Sequence, residues 1–90
     1  MRQEFEKILG EELRYLAIKT RGRLELTQRE MGERLQMGES SYSDIETGRT
    51  SCGALTELLL LCMQENSNDF LSHITARFSE CCKKENQTIL

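Results

Sequence analysis

Proline and tryptophan are missing from this 90-residue chain, histidine occurs once, and apolar runs are short. Each absence excludes something. With no proline and little β-branched alternation, and with Leu, Glu, Arg and Met common, helix is favoured throughout, so an all-α fold is expected. The longest apolar run, LLLLCM at Leu58 to Met63, falls far short of the ~18 to 20 residues a membrane span needs. The opening MRQEFEKIL is charged and lacks the apolar centre of a signal peptide, so a soluble cytoplasmic protein without membrane contact is expected. A single histidine, His73, and no paired nucleophile and base leave no recognisable catalytic set. No enzyme is expected. Of the four cysteines, Cys52, Cys62, Cys81 and Cys82, no two form a C-x-x-C, and the adjacent pair cannot easily bridge. Reduced, partly buried thiols are the preferred reading, ahead of a thiol switch at Cys81 and Cys82 or a zinc site, and neither metal nor cofactor is expected.

A net charge of −3 leaves the chain without the overall basic balance that draws a protein to a polyanion, so its distribution matters. Residues 19 to 49 are neutral and hold half of all Lys and Arg: Lys19, Arg21 and Arg23 together, then Arg29, Arg34 and Arg49. A local basic rim is compatible with that spread. Counterion release dominates non-specific binding, so a domain of this balance should hold random DNA weakly and depend on matched contacts.

The most informative stretch is Thr27 to Gly48, TQREMGERLQMGESSYSDIETG. Thr27 can cap the amides of a following turn while Glu30 reaches back to the Thr27 amide, the reciprocal pattern of a capping box. Met31 and Leu35 share one helical face, Met37 follows, and Tyr42 and Ile45 lie three apart on a second helix. All five should point inward. Gly32 gives a bare backbone where the second helix crosses the first. Glu39, Ser40, Ser41, Ser43 and Asp44 remain outside, a short polar face suited to base edges in a major groove.

Thr27-Gln28, Met31-Gly32, Leu35, Met37, Ser43, Ile45-Glu46 and Gly48 together resemble the Cro/CI-type (XRE family) helix-turn-helix domain, over about residues 13 to 63 with flanking helices included. The resemblance implies a five-helix Cro/CI-repressor-like fold in a bacterial or phage-encoded regulator. Two positions depart from the pattern: Gln36 stands in the turn where Gly is usual, implying a left-handed conformation that costs roughly 1 kcal/mol. Glu25 stands before Thr27 where Gly or Asn is common.

In the resemblance, helix 2 (about 28 to 35) crosses the DNA backbone, with Gln28 touching phosphate and bracing the next helix. Helix 3 (about 39 to 47) is the recognition helix, its N-terminal end in the major groove. A carboxylate accepts from cytosine N4, so Glu39 implies C·G readout. Asp44 either reads cytosine or is paired with a neighbouring Arg, the second being preferred. Tyr42 belongs to the core, and Glu46 resembles the family's structural acid with Arg21 as partner. Gly48 allows a left-handed helix end, and Arg29, Thr47, Arg49 and Thr50 offer donors to phosphates.

The flanks complete one domain, residues 1 to 83, with a flexible tail at 84 to 90. Helix 1, about 3 to 22, carries Phe5, Leu9, Leu13, Leu16 and Ala17 on one stripe, with Arg14 opposite; Phe5, Ile8 and Leu9 either cover the core, as preferred, or meet a partner. Leu26 should staple against Met31. Ser51 is expected to cap helix 4 (about 52 to 64), which is apolar nearly all round, and Ser67 or Asn68 to cap helix 5 (about 68 to 83). On helix 5, Phe70, Leu71, Ile74 and Phe78 exceed what one small core needs and are assigned to dimerisation (about 67 to 83). A core this small makes oligomerisation a natural supplement. The resulting expectation is a homodimeric, sequence-specific regulator on double-stranded DNA, a repressor or autoregulator. Its alternatives are an activator of a restriction-modification operon and a protein-binding module such as an antitoxin.

Overall fold

The computed structural model describes residues 2 to 84, and these are all helical or loop: α1 Arg2–Arg23, α2 Gln28–Arg34, α3 Glu39–Glu46, α4 Ala54–Cys62 and α5 Ser67–Lys84. The all-α, five-helix expectation holds. The tail assigned to 84 to 90 lies outside the described residues, apart from Lys84, which ends α5.

Two apolar clusters, joined by shared side chains, hold the helices together. Ala17, Met31, Leu35, Tyr42 and Leu60 form the first, with Leu26 and Met37 packed against it. That places the α2–α3 pair on the second half of α1, and Leu26 is positioned as the expected staple. Leu13, Phe70 and Ile74 form the second cluster, flanked by Ile8, Leu9 and Phe78. Leu16 and Cys52 touch both. The first half of α1 therefore lies along α5, where the Phe5 and Phe78 rings stand 4.8 Å apart at 59°. Glu12 ties the same helices by accepting from Arg77 at 2.7 Å and pairing with His73 at 2.8 Å. Phe5 covers the chain's own core.

Two helix starts differ from the sequence reading. α4 begins at Ala54 behind Gly53, which supplies no side-chain cap, so Ser51 does not cap it. Residues 51 to 53 stay outside any helix, and Cys52 packs between the two clusters from there. At α5 the cap is Asn66, whose Oδ1 accepts from the Asn68 amide at 3.0 Å, in place of Ser67 or Asn68. The four cysteines are free thiols. Burial pushes the Cys52 thiol above its ordinary range, aided by Glu57, which disfavours its thiolate. Among the described residues no helix is long and apolar enough to cross a membrane.

Candidate nucleic-acid interface

The α2–turn–α3 unit is built as its sequence dictates. Thr27 Oγ1 accepts from the Glu30 amide at 3.1 Å, and the Thr27 amide donates to Glu30 Oε1 at 2.9 Å, completing the capping box. The Thr27 backbone bond, then its hydroxyl, holds the Glu30 carboxyl below its usual range. In the turn, Gln36 takes φ 62° and Glu25, before α2, takes φ 55°, both left-handed without glycine. Gly32 is needed, though for a different contact than expected. A Cβ there would lie 3.0 Å from the Met37 carbonyl oxygen and 3.1 Å from that of Gly38, so what approaches Gly32 is the turn leading into α3.

α3 is fixed from behind by one buried carboxylate. Glu46 is 9% exposed. Its Oε2 accepts from the Tyr42 hydroxyl and from Arg21 Nε at 2.6 Å, while Oε1 accepts from Gln28 Nε2 at 3.0 Å and Arg21 Nη2 at 3.2 Å. Arg21 Nη1 also donates to the Leu26 carbonyl at 3.2 Å. One acid thus ties α1, α2 and α3 together. Burial alone pushes the Glu46 carboxyl up, but hydrogen bonds from Arg21, Tyr42 and Gln28 outweigh it and hold the carboxyl below its usual range. Burial, then the bond to Glu46, pushes the Tyr42 phenol up, so it remains a donor. Among the described residues no buried side-chain N or O atom lacks a partner.

The C-terminal end of α3 is closed by a Schellman motif around Gly48, at φ 80°. The Arg49 amide donates to the Asp44 carbonyl at 2.9 Å and the Gly48 amide to that of Ile45 at 3.2 Å. Arg14, which the sequence reading left on the solvent face of α1, donates from Nε to the Glu46 carbonyl at 2.6 Å. The detectable signal was its place seven residues before Arg21, two turns along the same helix face.

With its rear fixed, α3 presents Glu39, Ser40 and Ser41 fully outward at its leading end, while Ser43 and Asp44 are half-buried and only partly on that face. Gln28 braces Glu46, as the resemblance implied. Arg49, Thr47 and Thr50 lie exposed in the loop after α3, and Arg29 is exposed on α2. Thr47 Oγ1 donates to the Asp44 carbonyl at 3.2 Å. Asp44 sits 3.9 Å from Arg49, the pairing preferred from sequence, and Arg29 lies 3.6 Å from Glu33. The basic cluster before the motif is dispersed. Arg21 serves Glu46, Arg23 donates to the Met63 carbonyl at 2.9 Å, and Lys19 lies over the Tyr15 ring.

The α5 residues assigned to dimerisation divide. Phe70 and Ile74 are buried in the second cluster and Phe78 packs against it, because α1 is long enough to cover them, and Leu71 alone of the four is exposed.

This geometry coincides with a family match: the helix-turn-helix domain matches residues 8–62, more than half the chain. The chain belongs to the helix-turn-helix family. The match runs from α1 through α4, so the helix-turn-helix unit includes the first helix that supplies Arg14 and Arg21, while α5 lies beyond it. Membership places the chain among DNA-binding regulators and agrees with the Cro/CI-type resemblance. No curated protein and no solved structure matches the chain.

Proposed function

We propose that this helix-turn-helix protein is a cytoplasmic, sequence-specific transcriptional regulator that acts by occupancy, as a homodimer on a pseudo-palindromic operator. The observation that carries the reading is the Glu46 network, which immobilises α3 from behind while Glu39, Ser40 and Ser41 stand exposed at its leading end. Preorganised in this way, α3 enters a major groove without further ordering. Glu39 accepts from cytosine N4, Ser40 and Ser41 bond to adjacent base edges, and Ser43 and Asp44 line the side of the groove. Gln28, Arg29, Thr47, Arg49 and Thr50 set the register on the phosphates. Two copies place their α3 helices in successive major grooves about 34 Å apart. Occupancy of a promoter represses in the simplest case, and activation uses the same contacts with polymerase beside the site.

A second reading is favoured by the acid at the leading end of α3 and by the acidic neighbours of Arg29 and Arg49: a module that binds a protein, as an antitoxin does. Titration with duplex from the protein's own promoter, at two salt concentrations, separates the two. The DNA reading predicts promoter binding well above random duplex. Arg49→Ala should weaken it and lower the slope of log K against log salt by about one phosphate contact. Equal, weak binding to both duplexes supports the protein-binding module.

A further inference from the structure

Arg14 is anchored at one nitrogen and open at the other two. Its Nε donates to the Glu46 carbonyl at 2.6 Å, and among the described residues the guanidinium makes no other hydrogen bond and no ion pair. The residue is nevertheless exposed. It also lies against the loop that follows α3: a Cβ at Gly48 would stand 3.8 Å from both Cδ and Nε of Arg14, so the side chain runs over bare backbone there. Thr47, Arg49 and Thr50, the exposed donors of that loop, flank Gly48.

A cation at this place changes what the end of α3 can meet. The carbonyls that close a helix carry roughly half a negative charge, and the last turn of α3 holds no basic residue of its own. Left so, that end repels a phosphate brought against the loop. Arg14 reaches in from α1 with a full positive charge, which outweighs the carbonyls. The two arginines assigned to phosphate from sequence stand beside acids, Arg29 3.6 Å from Glu33 and Arg49 3.9 Å from Asp44. Meeting a phosphate costs Arg14 no such partner, and its Nε anchor has already removed part of the freedom that a flexible side chain loses on binding.

We propose that Arg14 is a further phosphate contact of the interface, holding the C-terminal end of α3 through Nε and a DNA phosphate through its two Nη groups; this rests on the operator-binding reading above. Its anchor gives the contact a consequence for α3. Glu39 and Glu46 lie seven residues apart on one helix, about 10 Å, so a phosphate held by Arg14 stands at a fixed offset from the leading end that meets the bases. Arg14 therefore sets the register of α3 along the groove and carries no base preference itself.

Arg14→Gln and Arg14→Lys separate this role from a purely structural one. Gln places Nε2 where Arg places Nε, so it keeps a donor for the Glu46 carbonyl and loses the charge, whereas Lys keeps the charge. Both are titrated beside wild type on promoter and random duplex over a salt series, and circular dichroism verifies that each is folded. Arg14→Gln is expected to lower the slope of log K against log salt by about 0.9 and to weaken binding roughly eightfold at ~0.1 M salt, equally on both duplexes, while Arg14→Lys keeps the wild-type slope. Replacing promoter phosphates one at a time by methylphosphonate gives a second readout: one phosphate should matter to wild type and not to Arg14→Gln. A wild-type slope in Arg14→Gln, or the same sensitive phosphates in both proteins, overturns the contact. Wild type that binds the two duplexes alike, with a slope that still falls in Arg14→Gln, sinks the operator reading alone. Promoter preference with an unchanged slope in Arg14→Gln sinks the Arg14 contact alone, and wild type that binds neither duplex sinks both.

Discussion

At the scale of single residues, Glu46 carries the largest consequence. Its carboxyl titrates lower in the folded chain than in the unfolded one, so the unfolded state binds more protons as pH falls. The stabilisation is then complete above the ordinary carboxylate range and is lost as pH drops through the depressed folded value. Removing the charge should have the same effect at neutral pH. Glu46→Gln is expected to cost about 2 kcal/mol, because Arg21 loses its counter-ion while remaining partly solvated. Urea titrations of both proteins at pH 7 and at pH 3 verify this: the difference should shrink at the lower pH. The pairing of Glu46 with Arg21 was legible only through the resemblance, which marks Glu46 as a structural acid with Arg21 as its partner. The role of Arg14 was not, because its acceptor is a backbone carbonyl, which no residue type announces. The left-handed Gln36 was legible from the missing glycine, and relief of that strain is testable. Gln36→Gly should raise stability by about 1 kcal/mol in thermal unfolding, the αL penalty outweighing the added freedom of the unfolded chain.

At the scale of helices, existence and order could be read from sequence, whereas two of the starts could not. Around α5 the sequence offers Asn66, Ser67 and Asn68, all of them capping types, and only the path of the chain selects Asn66. Around α4, Ser51 has the right chemistry, but Cys52 is drawn between the two clusters and keeps residues 51 to 53 out of the helix. These placements make opposite predictions for similar changes. Asn66→Ala should cost about 1 kcal/mol, whereas Ser51→Ala should be neutral within a few tenths. Comparing the two melting temperatures distinguishes a cap from a bystander. The face that α5 presents was misjudged from sequence for a related reason. A helical stripe shows that something covers it, and only tertiary packing shows that the cover is the extended first half of α1.

At the scale of the whole molecule, a chain of net charge −3 approaches a polyanion with few uncommitted cations. Arg21 is taken up by Glu46, while the exposed Arg23 and Lys19 lean on the Met63 carbonyl and the Tyr15 ring and Arg29 and Arg49 stand exposed beside acidic neighbours. On the proposed function, weak attraction to random DNA follows, and discrimination rests on α3 and on the proposed pairing of two copies. The most direct test is a hydroxyl-radical footprint of the protein on its own promoter. Two protected patches on one face of the duplex, centred one helical turn apart, are predicted. Uniform reactivity along the promoter, up to protein concentrations well above those that protect any duplex, would contradict the account.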